Sequence, residues 1–168
     1  MGGSTGNGNV TAAAEWNIHC DPEAAWAVFT SGIPIRMVGL NITRATGLEQ
    51  TDIDQLRGSG RKVANVVANL LEFYLANQRA RSGITIAPMH DVCAVLPYAY
   101  AGLIDYAHAR VEIELRGTHT RGMTLCDLRP AALAAGPKRT PPPNALVAIE
   151  ARSRDIVERV IETLLSYP

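Results

Sequence analysis

The sequence predicts an α/β fold carrying a small antiparallel β-pair late in the chain. Two observations lead there. Helical stretches alternate with short buried apolar runs, the repeating unit of a sheet covered by helices. Later, Val111-Glu112-Ile113-Glu114-Leu115 alternates with period two, and Gly117 and Gly122 bracket a turn to a partner run near Met123 to Cys126. Length and composition agree. The 168 residues make a single domain, and 47% apolar with 19% charged residues suit a globular core.

The opening residues, rich in Gly and Asn, read as a loop. Asp21-Pro22-Glu23 then starts a helix: Asp21 caps, Pro22 suits the first helical position, and Glu23 favours the positive helix end. Ala24, Ala25, Val28 and Phe29 follow at helical spacing, and Gly32 is a plausible stop. Ile35 to Thr43 is β-rich and reads as a mostly buried strand. Thr51 caps a short helix over Asp52 to Leu56. A longer helix spans Arg61 to Gln78, with Val63, Val66, Val67, Leu70, Leu71, Tyr74 and Leu75 on one side and Gly83 ending it. Ile84 to Ala87 is a short apolar segment before Pro88-Met89-His90-Asp91. Pro97 should end or kink the next helix, Val92 to Leu96. Arg129 to Asn144 is Pro-rich and reads as a surface loop. A last strand, Ala145 to Ile149, precedes a helix over Arg154 to Leu165 with Ile156, Val157, Val160, Ile161, Leu164 and Leu165 inward.

Several function classes are disfavoured. Sixteen basic residues balance sixteen acidic ones, against the basic face that nucleic-acid binding requires. No apolar run approaches the roughly 18 residues of a membrane span. The N-terminus lacks the basic and apolar regions of a secretory signal. Cys20, Cys93 and Cys126 are odd in number and far apart, so they read as reduced thiols in a cytoplasmic protein.

Three places combine polar residues in suggestive ways. Asn9, Glu15 and Asn17 offer a carboxylate and two carboxamides, suited to vicinal hydroxyls. An N-cap and turn residues around Trp16 are the plainer alternative. On an extended segment Glu15 and Asn17 would point the same way. His90-Asp91 follows a short strand at the start of a helix, where α/β proteins place ligand sites. There Asp91 suits a hard cation or a cap, and His90 a proton donor. Asp52-x-Asp54 lacks neighbouring ligands and reads as a capped first turn. Tyr74 and Gln78, one turn apart, share a helix face.

The order of these residues resembles that of the nucleoside hydrolases of the inosine–uridine-preferring type. The matching runs are Met1-Gly2-Gly3, Gly8-Asn9, Ala14-Glu15-Trp16-Asn17-Ile18, Asp21-Pro22-Glu23-Ala24-Ala25, Met89-His90-Asp91-Val92-Cys93-Ala94 and Thr120-Arg121-Gly122-Met123-Thr124. The likeness runs from Met1 almost to Pro168. It implies an open, mainly parallel sheet with flanking helices and hydrolysis of the N-glycosidic bond of ribonucleosides around Ca²⁺. By the same resemblance Asn9, Glu15 and Asn17 hold ribose hydroxyls, and Asp91 is a Ca²⁺ ligand touching ribose. His90 is the candidate proton donor to the leaving base, and Tyr74 and Gln78 lie near it. The family's Asp-rich motif, D-T-D-P-G-x-D-D-A, has no counterpart, so the N-terminal half of the fold is expected to be missing. One carboxylate cannot fill a Ca²⁺ shell of six to eight oxygens. The chain alone is therefore expected to bind the ion weakly and to be inactive. A truncated ribose- or partner-binding module is the alternative. The partners expected are a ribonucleoside and either further copies of the chain or a complementary N-terminal chain, with no nucleic acid and no membrane.

Overall fold

A computed structural model describes residues 1–130 and 141–168. In chain order the elements are α1 (Trp16–Cys20), α2 (Pro22–Thr30), β1 (Arg36–Met37), α3 (Leu40–Thr43), β2 (Gly47–Leu48), α4 (Gln50–Gly58), α5 (Lys62–Ser82), β3 (Ala87–Pro88), α6 (His90–Ala99), β4 (Ile104–Ile113), β5 (Thr124–Asp127), β6 (Ala145–Ala151) and α7 (Ser153–Ser166). The expected loop from Arg129 to Asn144 falls mostly outside the described residues.

Four strands form one sheet in the order β1-β6-β4-β5, and β2 pairs with β3 in a second, two-stranded sheet. Helices cover the larger sheet on both faces. On one face Ile18 and Phe29 pack with Met37, Ala109, Val111, Ile113 and Val147. On the other, Ile42, Cys93 and Ile156 pack with Val38, Ile104 and Ala148. This is the predicted α/β class. Parallel pairing among the described strands is confined to β1 with β6. β4 runs antiparallel to both β6 and β5. The late β-pair is present as β4 and β5, with Val111 opposite Cys126 and Ile113 opposite Thr124.

Asp21 caps α2 by accepting from the Ala24 N–H at 2.9 Å, with Pro22 inside the first turn, as its sequence indicates. α7 buries Ile156, Val157 and Ile161 and packs Leu164 and Leu165 against the core. Gly83 closes α5 at φ 68°, a left-handed conformation that glycine adopts without a Cβ penalty.

Four expectations need correction. The run from Ile35 to Thr43 is a strand only at Arg36–Met37, and Leu40–Thr43 is helical. It is buried as expected, but the Leu40 N–H donates to the Gly3 carbonyl at 2.9 Å and the Ile42 N–H to Gly39 at 3.0 Å. Those contacts outweigh the β-propensity of Ile and Thr. α4 is capped by Glu49, not Thr51: Asp52 accepts from the Glu49 N–H at 2.9 Å in a capping box. α6 starts at His90 and continues past Pro97 to Ala99. On α5 the buried line is Ala64, Ala68 and Leu75, while Val66 and Leu70 face outward. The apolar arc read from the sequence is wider than one helix face can bury.

Candidate functional site

The glycine-rich N-terminal segment doubles back on itself. The Gly8 N–H donates to Ala12, and the Asn9 and Val10 N–H groups converge on the Ala14 carbonyl. A Cβ on Gly8 would lie 2.2 Å from that carbonyl oxygen, so only glycine permits the approach. Asn9 then reaches forward: its Oδ1 accepts from the Trp16 N–H at 2.9 Å.

Glu15 is the N-cap of α1 and is only 3% exposed. Its carboxylate accepts from the N–H groups of Gly3 (2.8 Å), Asn17 (2.9 Å) and Ile18 (3.3 Å). The capping role that the sequence allowed is thus present, and Glu15 and Asn17 lie at a helix start, not on an extended segment. The Asn17 carboxamide donates to the Met1 carbonyl at 3.2 Å. Thr124, from the Thr120-Arg121-Gly122-Met123-Thr124 run, locks the same segment. It accepts from the Ser4 N–H at 2.8 Å and donates to the Ser4 carbonyl at 2.7 Å.

His90 opens α6 directly after β3. Its Nδ1 lies 2.8 Å from the hydroxyl of Thr43, a fully buried residue on α3. The Met89 N–H donates to Thr46 at 2.8 Å, which fixes the entry to the helix. Burial holds the His90 imidazole below the ordinary histidine value; the Asp91 and Glu15 carboxylates oppose this and Arg44 adds to it. His90 therefore feels carboxylates from two parts of the chain, Asp91 beside it on α6 and Glu15 from the N-terminal segment. Asp91 stands exposed in the first turn of α6.

Tyr74 and Gln78 meet each other, with the Gln78 Nε2 donating to the Tyr74 hydroxyl at 2.7 Å. Tyr74 also packs against the core around Leu48, Leu56 and Leu75. Asp52 proves structural, as its spacing suggested: it is 3% exposed and bonded to Arg154 at 2.8 Å.

Two residues at the centre of this arrangement, Thr43 and Arg44, belong to none of the motif runs. Thr43 left one signal in the sequence, a hydroxyl at the end of an apolar run that must find a buried partner. Arg44 left none.

The donor set does not by itself suit Ca²⁺. Among the described residues no group of three or more His, Cys, Asp or Glu side chains is placed to hold a metal ion. Asp91 supplies at most two of the oxygens such an ion takes. Among the described residues no helix is long and apolar enough to cross a membrane.

Comparison with known proteins bears on this geometry. The model of the inosine-uridine preferring nucleoside hydrolase family matches residues 1–158. The pyrimidine-specific ribonucleoside hydrolases RihA of Salmonella arizonae and of Citrobacter koseri are each 38% identical over 168 residues, 99% of this chain and 52% of theirs. The chain thus spans about half the length of these relatives. Among solved structures, a purine-preferring ribonucleoside hydrolase from Gardnerella vaginalis superposes with a TM-score of 0.84 at 26% identity, covering 99% of this chain and 51% of that one. A plant nucleoside hydrolase gives 0.86 at 28% identity, covering 99% of this chain and 52% of its own. With the motif residues gathered at the N-terminal segment and the start of α6, and the family model matching nearly end to end, the chain belongs to the inosine-uridine preferring nucleoside hydrolase family.

Proposed function

We propose that this chain carries the ribose-facing and base-facing residues of a ribonucleoside N-glycosidase. In that reaction the bond between C1′ and the base nitrogen breaks. The oxygen of water adds to C1′, and one proton of that water replaces the sugar on the base. The observation that carries the reading is the His90–Thr43 contact, made within electrostatic reach of Glu15 and Asp91. With the Thr43 hydroxyl donating to Nδ1, the remaining proton sits on Nε2, the nitrogen left for the departing base.

The other roles follow from what each group has left to offer. Asn9 uses its oxygen on Trp16, which leaves its NH₂ to donate to a sugar hydroxyl. Glu15 accepts three N–H bonds, and a carboxylate has room for about one more, from a hydroxyl. Asn17 lies beside it on α1, and Asp91 offers an exposed carboxylate to the same sugar. Tyr74 and Gln78 form a bonded pair suited to the edge of the base. Negative surroundings of this kind favour the oxocarbenium-like sugar that forms as the base leaves.

Among the described residues no group of three or more His, Cys, Asp or Glu side chains is placed to hold a metal ion, and Glu15, the other carboxylate acting on His90, is already engaged by three N–H groups. The 168-residue chain alone is therefore expected to be inactive, and a family-type N-terminal half is expected to restore turnover. The test is release of free base from uridine and inosine by the pure chain, alone and co-expressed with such a half. The reading expects no turnover alone, and turnover in the pair that falls at least about 100-fold in His90→Ala. Full turnover by the chain alone, or a pair indifferent to His90→Ala, contradicts it.

A further inference from the structure

We propose that Arg44 is a positioning residue that latches the Asn9 loop to α3, setting that loop at a fixed distance from His90. The inference deepens the reading of Asn9 as a ribose ligand and rests on it. The Arg44 guanidinium donates to the Gly8 carbonyl at 2.7 Å, across 36 positions of sequence. Gly8 immediately precedes Asn9, so the bond acts one residue from the proposed ligand.

The loop is closed upon itself by its bonds to Ala12 and Ala14, but those bonds do not tie its tip to the helices. Arg44 also lines an open cleft of about 370 Å³ together with Ser4, Thr5, Gly6, Asn7 and Asn41, the residues leading into the loop and those of α3. Among the described residues two bonds tie the loop to helices: Asn9 Oδ1 accepts from Trp16 at the start of α1, and Gly8 accepts from Arg44 at the end of α3. Arg44 is such a tether, and a charged, forked donor to a carbonyl suits the task.

α3 itself is firmly seated. Its Leu40 N–H donates to Gly3, and its Asn41 carboxamide donates to the Ala148 carbonyl in β6 at 2.9 Å. The residue before Arg44 is Thr43, whose hydroxyl meets His90. The last residue of α3 and its C-cap therefore hold neighbouring parts of the chain, Thr43 the histidine and Arg44 the asparagine loop. Arg44 is exposed, so its bond contributes little to global stability and acts mainly on local order.

The experiment uses the 168-residue chain, its Arg44→Met and Arg44→Lys variants, amide exchange followed by NMR, and D-ribose as the probe. The Trp16 N–H, held by Asn9, and the Asn9 N–H are the reporters. Arg44→Met is expected to speed their exchange at least about tenfold with α7 amides unchanged, and to weaken D-ribose at least about fivefold. Arg44→Lys, which keeps a charged donor, is expected to recover most of both. Unchanged exchange in Arg44→Met overturns the latch. Faster exchange with unchanged ribose affinity overturns the positioning role. If the parent binds no ribose yet Arg44→Met loosens the loop, the latch is supported and the ribose reading of Asn9 fails.

Discussion

Removing the Glu15 carboxylate separates a scaffold role from a purely substrate-facing one. Glu15→Ala deletes the cap of α1 and strands the buried N–H of Gly3, which donates to it at 2.8 Å. Losing a cap costs about 1 kcal/mol, and an unsatisfied buried donor about 1–3 kcal/mol. Together the loss is about 3 kcal/mol. Glu15→Gln keeps one acceptor oxygen but turns charge-assisted bonds into neutral ones, a loss of about 1–2 kcal/mol. In a chain of this size each kcal/mol lowers the melting temperature by about 2–4 °C. Thermal unfolding followed by circular dichroism at neutral pH should therefore show Glu15→Ala about 6–12 °C below the parent, with Glu15→Gln between them. If both variants melt within about 1 °C of the parent, the carboxylate does not hold the loop and the reasoning from its three bonds is wrong.

Other outcomes follow from the same structure. Burial pushes the Cys93 and Cys126 thiols up to about 11, so iodoacetamide near neutral pH should alkylate exposed Cys20 first. Labelling of Cys126 should rise as pH climbs toward that value, and equal rates at all three cysteines would contradict the burial. Calorimetric titration of the 168-residue chain with Ca²⁺ should find binding no tighter than about millimolar, and a micromolar site would show that the ligand count missed donors. Val66, Leu70 and Phe73 are 55%, 64% and 74% exposed along one side of α5, so the chain should self-associate as its concentration rises. Sedimentation showing a monomer throughout, or no change in Leu70→Ser with Phe73→Ser, would contradict that.

How far the sequence foretold the structure depends on what each element is held by. α2, α7 and the β4–β5 pair were legible because their signals are local: Asp21 with Pro22, a clean apolar stripe, and strict alternation. α3 was not legible, because a short buried run looks the same as strand or helix by periodicity. Its choice is made by Gly3 and Ala148, which are distant in sequence. Asn9, Glu15, Asn17, His90 and Asp91 stand out as candidate site residues only in combination, since each alone also suits a turn or a cap. Residue type gave no hint that Glu15 would spend its carboxylate on three backbone donors. Arg44 was invisible for a similar reason, as one exposed arginine of fourteen looks like solvent-facing surface until its carbonyl partner is placed.

The central claim is that the N-terminal segment and the start of α6 serve one sugar. A crystal structure of the chain grown with D-ribose tests it most directly. The account expects a single ribose touching Asn9 or Glu15 on one side and Asp91 on the other, with His90 on the side where a base would leave. An Asp91 carboxylate more than roughly 15 Å from both Glu15 and Asn17, beyond what one bound sugar spans, would contradict it.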